Sequence, residues 1–294
     1  MDSTMDSSTD STRTGNPEIT GTTRLFAVIG DPVAQVQAPS MVNPLFVELG
    51  TDAVLVPVHA RPENLRQVIT GLQRTENVDG LLITVPHKAA ALRFADLVSP
   101  AAELSGGTNA IRRAADGSWQ ADNFDGEGFV RGLLAAGHNP YRKRIALAGA
   151  GGAGRAIAVA LLLAGAELDV WDRDMARVGA LVSQLEERWP GRVTGSARPR
   201  LAAADIAVNA TPAGLGPQDP LPFDPAELPD GAVVADIIMK PRTTPLLRAA
   251  QDRGLRIQYG APMLSEQLAL YREFFGMERP AGRERLSGRA VTAR

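Results

Sequence analysis

The stretch Arg144-Ile-Ala-Leu-Ala-Gly-Ala-Gly-Gly-Ala-Gly-Arg155 decides the fold. A short apolar run at residues 145–148 enters Gly149-x-Gly151-x-x-Gly154, and a second apolar run occupies residues 156–164. This order predicts a strand, a tight turn and a helix. The first glycine makes the turn, the second lets a pyrophosphate approach the backbone, and the third lets helix and strand pack closely. The helix start adds unpaired N–H groups and the positive end of the dipole. Gly149, Ala150, Gly151, Gly152, Ala153 and Gly154 are therefore the candidate phosphate-binding residues. A further strand, Glu167–Trp171, ends at Asp172. That is about the twenty-residue interval at which an acidic side chain meets the adenosine ribose.

Downstream, the apolar runs 205–209, 232–237 and 255–259 read as strands, and residues 262–275 as a last helix. Asn209-Ala-Thr-Pro-Ala-Gly-Leu-Gly216 is a loop at the carboxyl end of a strand, the edge where open α/β sheets bind ligands. Asn209, Thr211 and Pro212 join the cofactor set. Upstream, 25–29, 53–58 and 80–85 read as strands, the last cut off by Pro86. Residues 39–49 form a helix closed by Gly50, and 62–74 a helix with proline in its first turn. Residues 110–113 and 119–121 flank a hairpin turn at Ala115-Asp-Gly117. A helix at 129–136 leads out of this half. Such alternation predicts an α/β protein with mainly parallel sheets covered by helices.

At 294 residues, two domains are the default. A net charge of −2 gives no global basic field to recruit nucleic acid or an anionic membrane. Cysteine is absent, which excludes disulfides, thiol nucleophiles and cysteine-ligated zinc. His59, His87 and His138 are scattered without metal-ligand spacing, so no metal is expected. Residues 1–22, rich in Asp, Ser and Thr, read as a disordered tail, and the basic 279–294 as a flexible one. No leader pattern and no apolar run of about 20 residues is visible, so a cytoplasmic location is expected.

Three segments of the first half carry candidate chemistry: Thr84-Val-Pro-His-Lys88, Thr108-Asn109 and Asp122-Asn-Phe-Asp-Gly126. A lysine beside a carboxylate shuttles protons to and from a hydroxyl when a closed cleft desolvates it. A solvated surface pair is the competing reading of Lys88 and Asp125.

Together with Gly30-Asp-Pro-Val-Ala34, the glycine loop, Asn209-Ala-Thr-Pro212, Thr244-Pro-Leu-Leu247 and Gln267, these segments resemble the shikimate dehydrogenase family from about Arg24 to Met277. The resemblance implies an N-terminal α/β catalytic domain at 23–128 plus 260–278 and a Rossmann dinucleotide-binding domain at 129–259. A C-terminal helix would return to the first domain. It implies hydride transfer between a ring secondary alcohol and NAD(P), with Lys88 and Asp125 as the catalytic pair. Asn109 and Gln267 would contact substrate hydroxyls.

The departures point to a changed substrate. Where family members carry Ser-x-Ser-Pro for the substrate carboxylate, this chain has Val36 and Ala38 within Gln35-Val-Gln-Ala-Pro39. The tyrosine of the Asp-x-x-Tyr pattern is Met239, and the asparagine before Thr-Val-Pro is replaced by Leu82. Thr84 alone remains of that cradle. Burying a carboxylate against apolar groups is costly without hydrogen bonds. The expected substrate is therefore a cyclic polyol, related to shikimate, with an altered or missing carboxylate. Rival readings are an authentic shikimate dehydrogenase using Gln35, Gln37 and Thr84, and a non-catalytic nucleotide-binding sensor, against which Lys88 and Asp125 count. NADP-using members show Asn-Arg-Thr/Ser where this chain has Asp172-Arg173-Asp174. An aspartate there repels a 2′-phosphate, so NAD is expected, with Arg173 leaving NADP open. His87 is read as a packing residue. A monomer or homodimer is expected.

Overall fold

A computed structural model describes residues 17–216 and 218–277. In the first half, β1 (Arg24–Gly30) pairs in parallel with β2 (Ala53–His59) and with β3 (Val78–Ile83). Helices α1 (Ala38–Leu49) and α2 (Leu65–Gln73) form the crossovers. β1 is apolar at consecutive positions because both its faces are covered. Phe26 and Val28 enter one core with Phe46 and Leu55, while Ala27 and Ile29 enter another with Leu65, Ile69 and Leu81. Side chains alternating across the strand produce that division.

β3 is followed by α3 (Lys88–Ala91), the short edge strand β4 (Leu97–Val98) and α4 (Pro100–Ser105). The antiparallel hairpin β5 (Ala110–Arg113) and β6 (Trp119–Asp122) completes a sheet of order β2-β1-β3-β5-β6-β4. The hairpin matches the expected one. Neither β4 nor α4 is long enough to show a period, although α4 carries end signals in Ser99, whose hydroxyl accepts the Ala102 N–H, in Pro100 at its first position and in Gly106 after its end.

The next helix, α5 (Asp125–Ala135), begins four residues earlier than expected from the run at 129–136. Gly126 and Gly128 look like helix breakers in sequence, yet both lie inside the helix. They are there for close packing. A Cβ at Gly126 would lie 2.1 Å from the Ala156 carbonyl oxygen, and one at Gly128 would lie 2.6 Å from that of Met263. The expected domain boundary at 128–129 thus falls within a continuous helix.

The second sheet is wholly parallel. Its strands are β7 (Arg144–Ala148), β8 (Glu167–Trp171), β9 (Val193–Ser196), β10 (Ile206–Asn209), β11 (Val233–Asp236) and β12 (Arg256–Gln258). They are arranged in the order β12-β11-β10-β7-β8-β9. The chain winds outward from β7 in one direction, then restarts at β10 and winds outward in the other. The crevice between β7 and β10 is the topological switch point where doubly wound sheets bind nucleotides. Helices α6 (Gly152–Leu163), α7 (Met175–Glu186) and α8 (Pro245–Asp252) cover this sheet. The last helix, α9 (Ala261–Phe274), packs Leu270 and Tyr271 into the core of the first sheet.

Part of the expected N-terminal tail is tied down. Thr22 and Thr23 hydroxyls donate to the two carboxylate oxygens of Asp52 at 2.6 and 2.7 Å. Residues 1–16 and the expected tail at 279–294 lie outside the described residues.

Candidate active site

A cleft of about 290 Å³ opens at the carboxyl ends of β1 and β3, facing the start of α6 and the segment after β11. Lys88 and Asp125 are the first residues of α3 and α5. The Lys88 Nζ donates to Asp125 Oδ2 at 2.5 Å, with the side chains only 16% and 6% exposed. This geometry replaces the solvated surface reading with a desolvated ion pair, in which little screening weakens the attraction. Asp125 Oδ1 accepts from Asn109 Nδ2 at 3.0 Å and from Gln267 Nε2 at 3.3 Å. Asn109 is itself oriented, since its Oδ1 accepts the Phe124 N–H at 2.9 Å.

Tyr271 belongs to the same cluster and was not singled out from sequence. Its hydroxyl donates to Gln267 Oε1 at 2.6 Å and accepts from Asn109 Nδ2 at 3.2 Å. Complete burial, reinforced by the negative charge of Asp125, holds its pKa well above that of an ordinary tyrosine. The phenol therefore keeps its proton and fixes the Gln267 amide with Nε2 towards Asp125. One signal existed: Tyr271 lies one turn beyond Gln267, on the same face of α9.

His87 is 2% exposed, and its Nε2 lies 2.7 Å from the Ala60 carbonyl oxygen. It is a packed core residue, as expected.

The opposite end of the cleft is apolar. Val28, Val36, Ala38, Leu82, Leu264 and Met239 line it. The amides nearest to the missing hydroxyls in sequence are turned to their own loop. Gln35 Nε2 donates to the Pro32 carbonyl at 2.8 Å, and Gln37 Nε2 to the Gln35 carbonyl at 3.1 Å. Thr84 lines the cleft, and its hydroxyl has no hydrogen-bond partner among the described residues.

The glycine loop has the shape a dinucleotide needs. Gly149 has φ +107°, and a Cβ at Gly154 would lie 1.9 Å from the Gly149 carbonyl oxygen. By contrast, a Cβ at Gly151 or Gly152 would meet nothing within 4 Å, so open space lies above them. The α6 N-terminus has no side-chain cap, which leaves its first N–H groups available to phosphate. Asp172 follows β8 at the loop's edge. Its Oδ2 accepts the Ala150 N–H at 2.8 Å and its Oδ1 the Asp174 N–H at 3.0 Å. Arg173 beside it is exposed. These residues fit a nicotinamide dinucleotide.

Asn209 departs from its expected role as a ligand contact. It is fully buried, and its amide donates to the Ala213 carbonyl at 3.0 Å and to Asp236 Oδ1 at 3.1 Å. Its Oδ1 accepts both the N–H and the hydroxyl of Thr211. With its polar atoms used internally, Asn209 shapes the loop that presents Thr211 and Pro212. Asp236, held by Thr244 Oγ1 at 2.7 Å and the Ile238 N–H at 3.0 Å, ties that loop to the segment carrying Met239. Burial pushes the Asp236 carboxyl above its ordinary pKa, and these hydrogen bonds oppose the shift.

Among the described residues, no cluster of His, Cys, Asp or Glu has the makings of a metal site, and no helix is long and apolar enough to cross a membrane.

Comparison with known proteins agrees with this geometry. The shikimate dehydrogenase substrate binding domain matches residues 28–111. The shikimate dehydrogenase (NADP(+)) of Rubrobacter xylanophilus is 38% identical over 281 residues, covering 92% of this chain and 98% of that protein. The structure of shikimate 5-dehydrogenase from Listeria monocytogenes, in complex with shikimate and NAD, superposes with a TM-score of 0.82 at 28% identity, covering 90% of this chain and 96% of that one. The 5-ketofructose reductase of Gluconobacter sp. strain CHM43 superposes with a TM-score of 0.77 at 30% identity, covering 86% and 92%. With a Rossmann switch point, a buried lysine–aspartate pair and relatives alike along nearly their whole length, the chain belongs to the shikimate dehydrogenase family of NAD(P)-dependent oxidoreductases.

Proposed function

We propose that this protein interconverts a ring secondary alcohol and its ketone on a cyclic polyol related to shikimate, whose carboxylate is altered or missing. One observation carries the reading: a single cleft joins the Lys88–Asp125–Asn109–Gln267 cluster at one end to Val36, Ala38 and Met239 at the other. The first end suits a diol. Beyond the Thr84 hydroxyl, the second offers a carboxylate no charge and no hydroxyl among the described residues.

The nicotinamide, when bound, supplies the hydride acceptor or donor. The glycine loop and the start of α6 would hold its pyrophosphate, and Asp172 the adenosine ribose. Asn109 and Gln267 orient the substrate hydroxyls. In the reducing direction the Lys88 ammonium gives a proton to the new hydroxyl oxygen; in the oxidising direction Lys88, after releasing its own proton to solvent, takes the hydroxyl proton, and Asp125 holds the ammonium form in place. The two-domain division follows the same logic, with 23–128 plus 260–278 binding substrate and 129–259 binding the dinucleotide.

Relatives named shikimate dehydrogenase (NADP(+)) favour a second reading, an authentic shikimate dehydrogenase. The neighbour named for 5-ketofructose, a sugar without a carboxylate, supports the first. Absorbance at the reduced-nicotinamide band separates them when shikimate, quinate and uncharged cyclic diols are compared. A kcat/KM for shikimate far above that for the neutral diols overturns the altered-carboxylate reading.

Two residues give further expected outcomes. Asp172 favours NAD over NADP in kcat/KM, because a carboxylate repels the 2′-phosphate. Asp172→Ser keeps an acceptor for the Ala150 N–H and narrows the preference about fivefold to tenfold, the worth of roughly 1 kcal/mol between charges in a water-like medium. A wild-type preference for NADP overturns this assignment. Tyr271→Phe frees the Gln267 amide and raises KM about fivefold to tenfold, the net value of one hydrogen bond, with a smaller change in kcat. Steady-state kinetics with an unchanged KM would remove Tyr271 from the positioning of Gln267.

A further inference from the structure

The cleft does not end at Met239. A second hollow of about 500 Å³ adjoins it, and Gln37, Met239 and Leu264 form the wall common to both. Its floor is largely apolar, with Met41, Tyr259 and Pro262, and two cations, Lys240 and Arg242, stand on its lining. Among the described residues, no carboxylate lines it. Lys240 has no hydrogen-bond or ion-pair partner among the described residues. Arg242 lies with its guanidinium carbon 4.7 Å above the centre of the Tyr259 ring, a contact that leaves its N–H edge free. A guanidinium stacked in this way is held in one plane with its fork of donors ready for a carboxylate, sulfonate or phosphate.

We propose that this hollow is a second substrate subsite, which receives an anionic arm carried on the ring substrate. The inference rests on the ring-alcohol reading above and refines it. The acid group is moved outward past Met239, so the ring's edge meets apolar side chains and the charge meets Lys240 and Arg242. This placement accounts for two features together: Thr84 alone offers a hydroxyl donor at the apolar end beside the ring, and unpaired cations stand one hollow further out.

Three probes differ only in where the acid lies: shikimate, its neutral methyl ester, and N-shikimoylglycine, whose carboxylate is carried beyond an amide. The expected result is a KM for N-shikimoylglycine about tenfold below that for methyl shikimate, the worth of one charge-assisted hydrogen bond. Added salt should erode that advantage, because the subsite is open to solvent. In Lys240→Ala/Arg242→Ala the two KM values should converge. A variant that only damaged the cleft would raise both and keep their ratio. Turnover of methyl shikimate with no advantage for N-shikimoylglycine, or a ratio that survives the double substitution, overturns the second subsite and leaves the ring-alcohol reading standing. Absence of turnover with all three probes, under both NAD and NADP, overturns that reading and the subsite with it.

Discussion

Lys88→Met is expected to lower kcat by about 10²–10⁴-fold, the usual contribution of a positioned general acid or base. Methionine keeps an unbranched side chain of similar reach but cannot accept or donate the hydroxyl proton. The effect should be large because neither Asp125 nor His87, the titratable neighbours of Lys88 among the described residues, is free to replace it. Asp125 is already the acceptor of Lys88, Asn109 and Gln267, and His87 is turned away to the Ala60 carbonyl. Asp125→Asn should produce a comparable loss by a different route. It preserves the shape of the side chain but removes the negative charge that holds the ammonium, leaving a mostly buried cation without its partner. Cofactor affinity, read by protein fluorescence, should change little in either variant, since the glycine loop lies on the other sheet. Stopped-flow absorbance of reduced nicotinamide gives the single-turnover rate. Retention of that rate in Lys88→Met would exclude Lys88 as the proton carrier.

The second large effect is a gain. Unmodified protein is expected to show a high KM for shikimate, because its carboxylate would face Val36, Ala38 and Met239. The combined substitution Val36→Ser, Ala38→Ser and Met239→Tyr supplies three hydroxyl donors. Each hydrogen bond to a charged group is worth about 1.5–3 kcal/mol, so even one well-formed bond lowers KM about tenfold to a hundredfold. Met239 is 40% exposed, which leaves room for a tyrosine ring. Val36 and Ala38 are only partly buried against the first core, so serine there costs little packing. KM for methyl shikimate serves as the reference, since an ester lacks the charge that the new hydroxyls would grip. A low KM for shikimate in the unmodified protein, or a triple substitution that lowers both values equally, defeats the idea of a rebuilt carboxylate end.

Much of this protein was legible in the chain alone. The glycine spacing at 149–154 specified the turn, because strand, positive φ and close helix packing are each local demands on backbone shape. The alternation of apolar runs announced parallel sheets, and strand Glu167–Trp171 stands where it was read. Lys88 and Asp125 were marked as a pair through their neighbours in sequence and through family resemblance. What the chain could not show was how the pair is enclosed. The hydrogen bond from Gln267 to Asp125 spans 142 residues, and that from Asn109 to Tyr271 spans 162.

The glycines of α5 mark the limit most clearly. In sequence, Asp125-Gly-Glu-Gly128 reads as a loop, because glycine weakens an isolated helix. In the fold, those positions must lack a side chain so that α5 can lie against α6 and α9 at once. Asn209 shows the converse, a polar residue at a ligand-binding edge whose hydrogen bonds all turn inward. Sequence by itself determined the central strands, though not the edge strands β4 and β9, and with them the phosphate turn and the chemical types available to the site. Tertiary structure alone decided which polar groups line the cleft and which meet each other, because that depends on the packing of helices far apart in the chain.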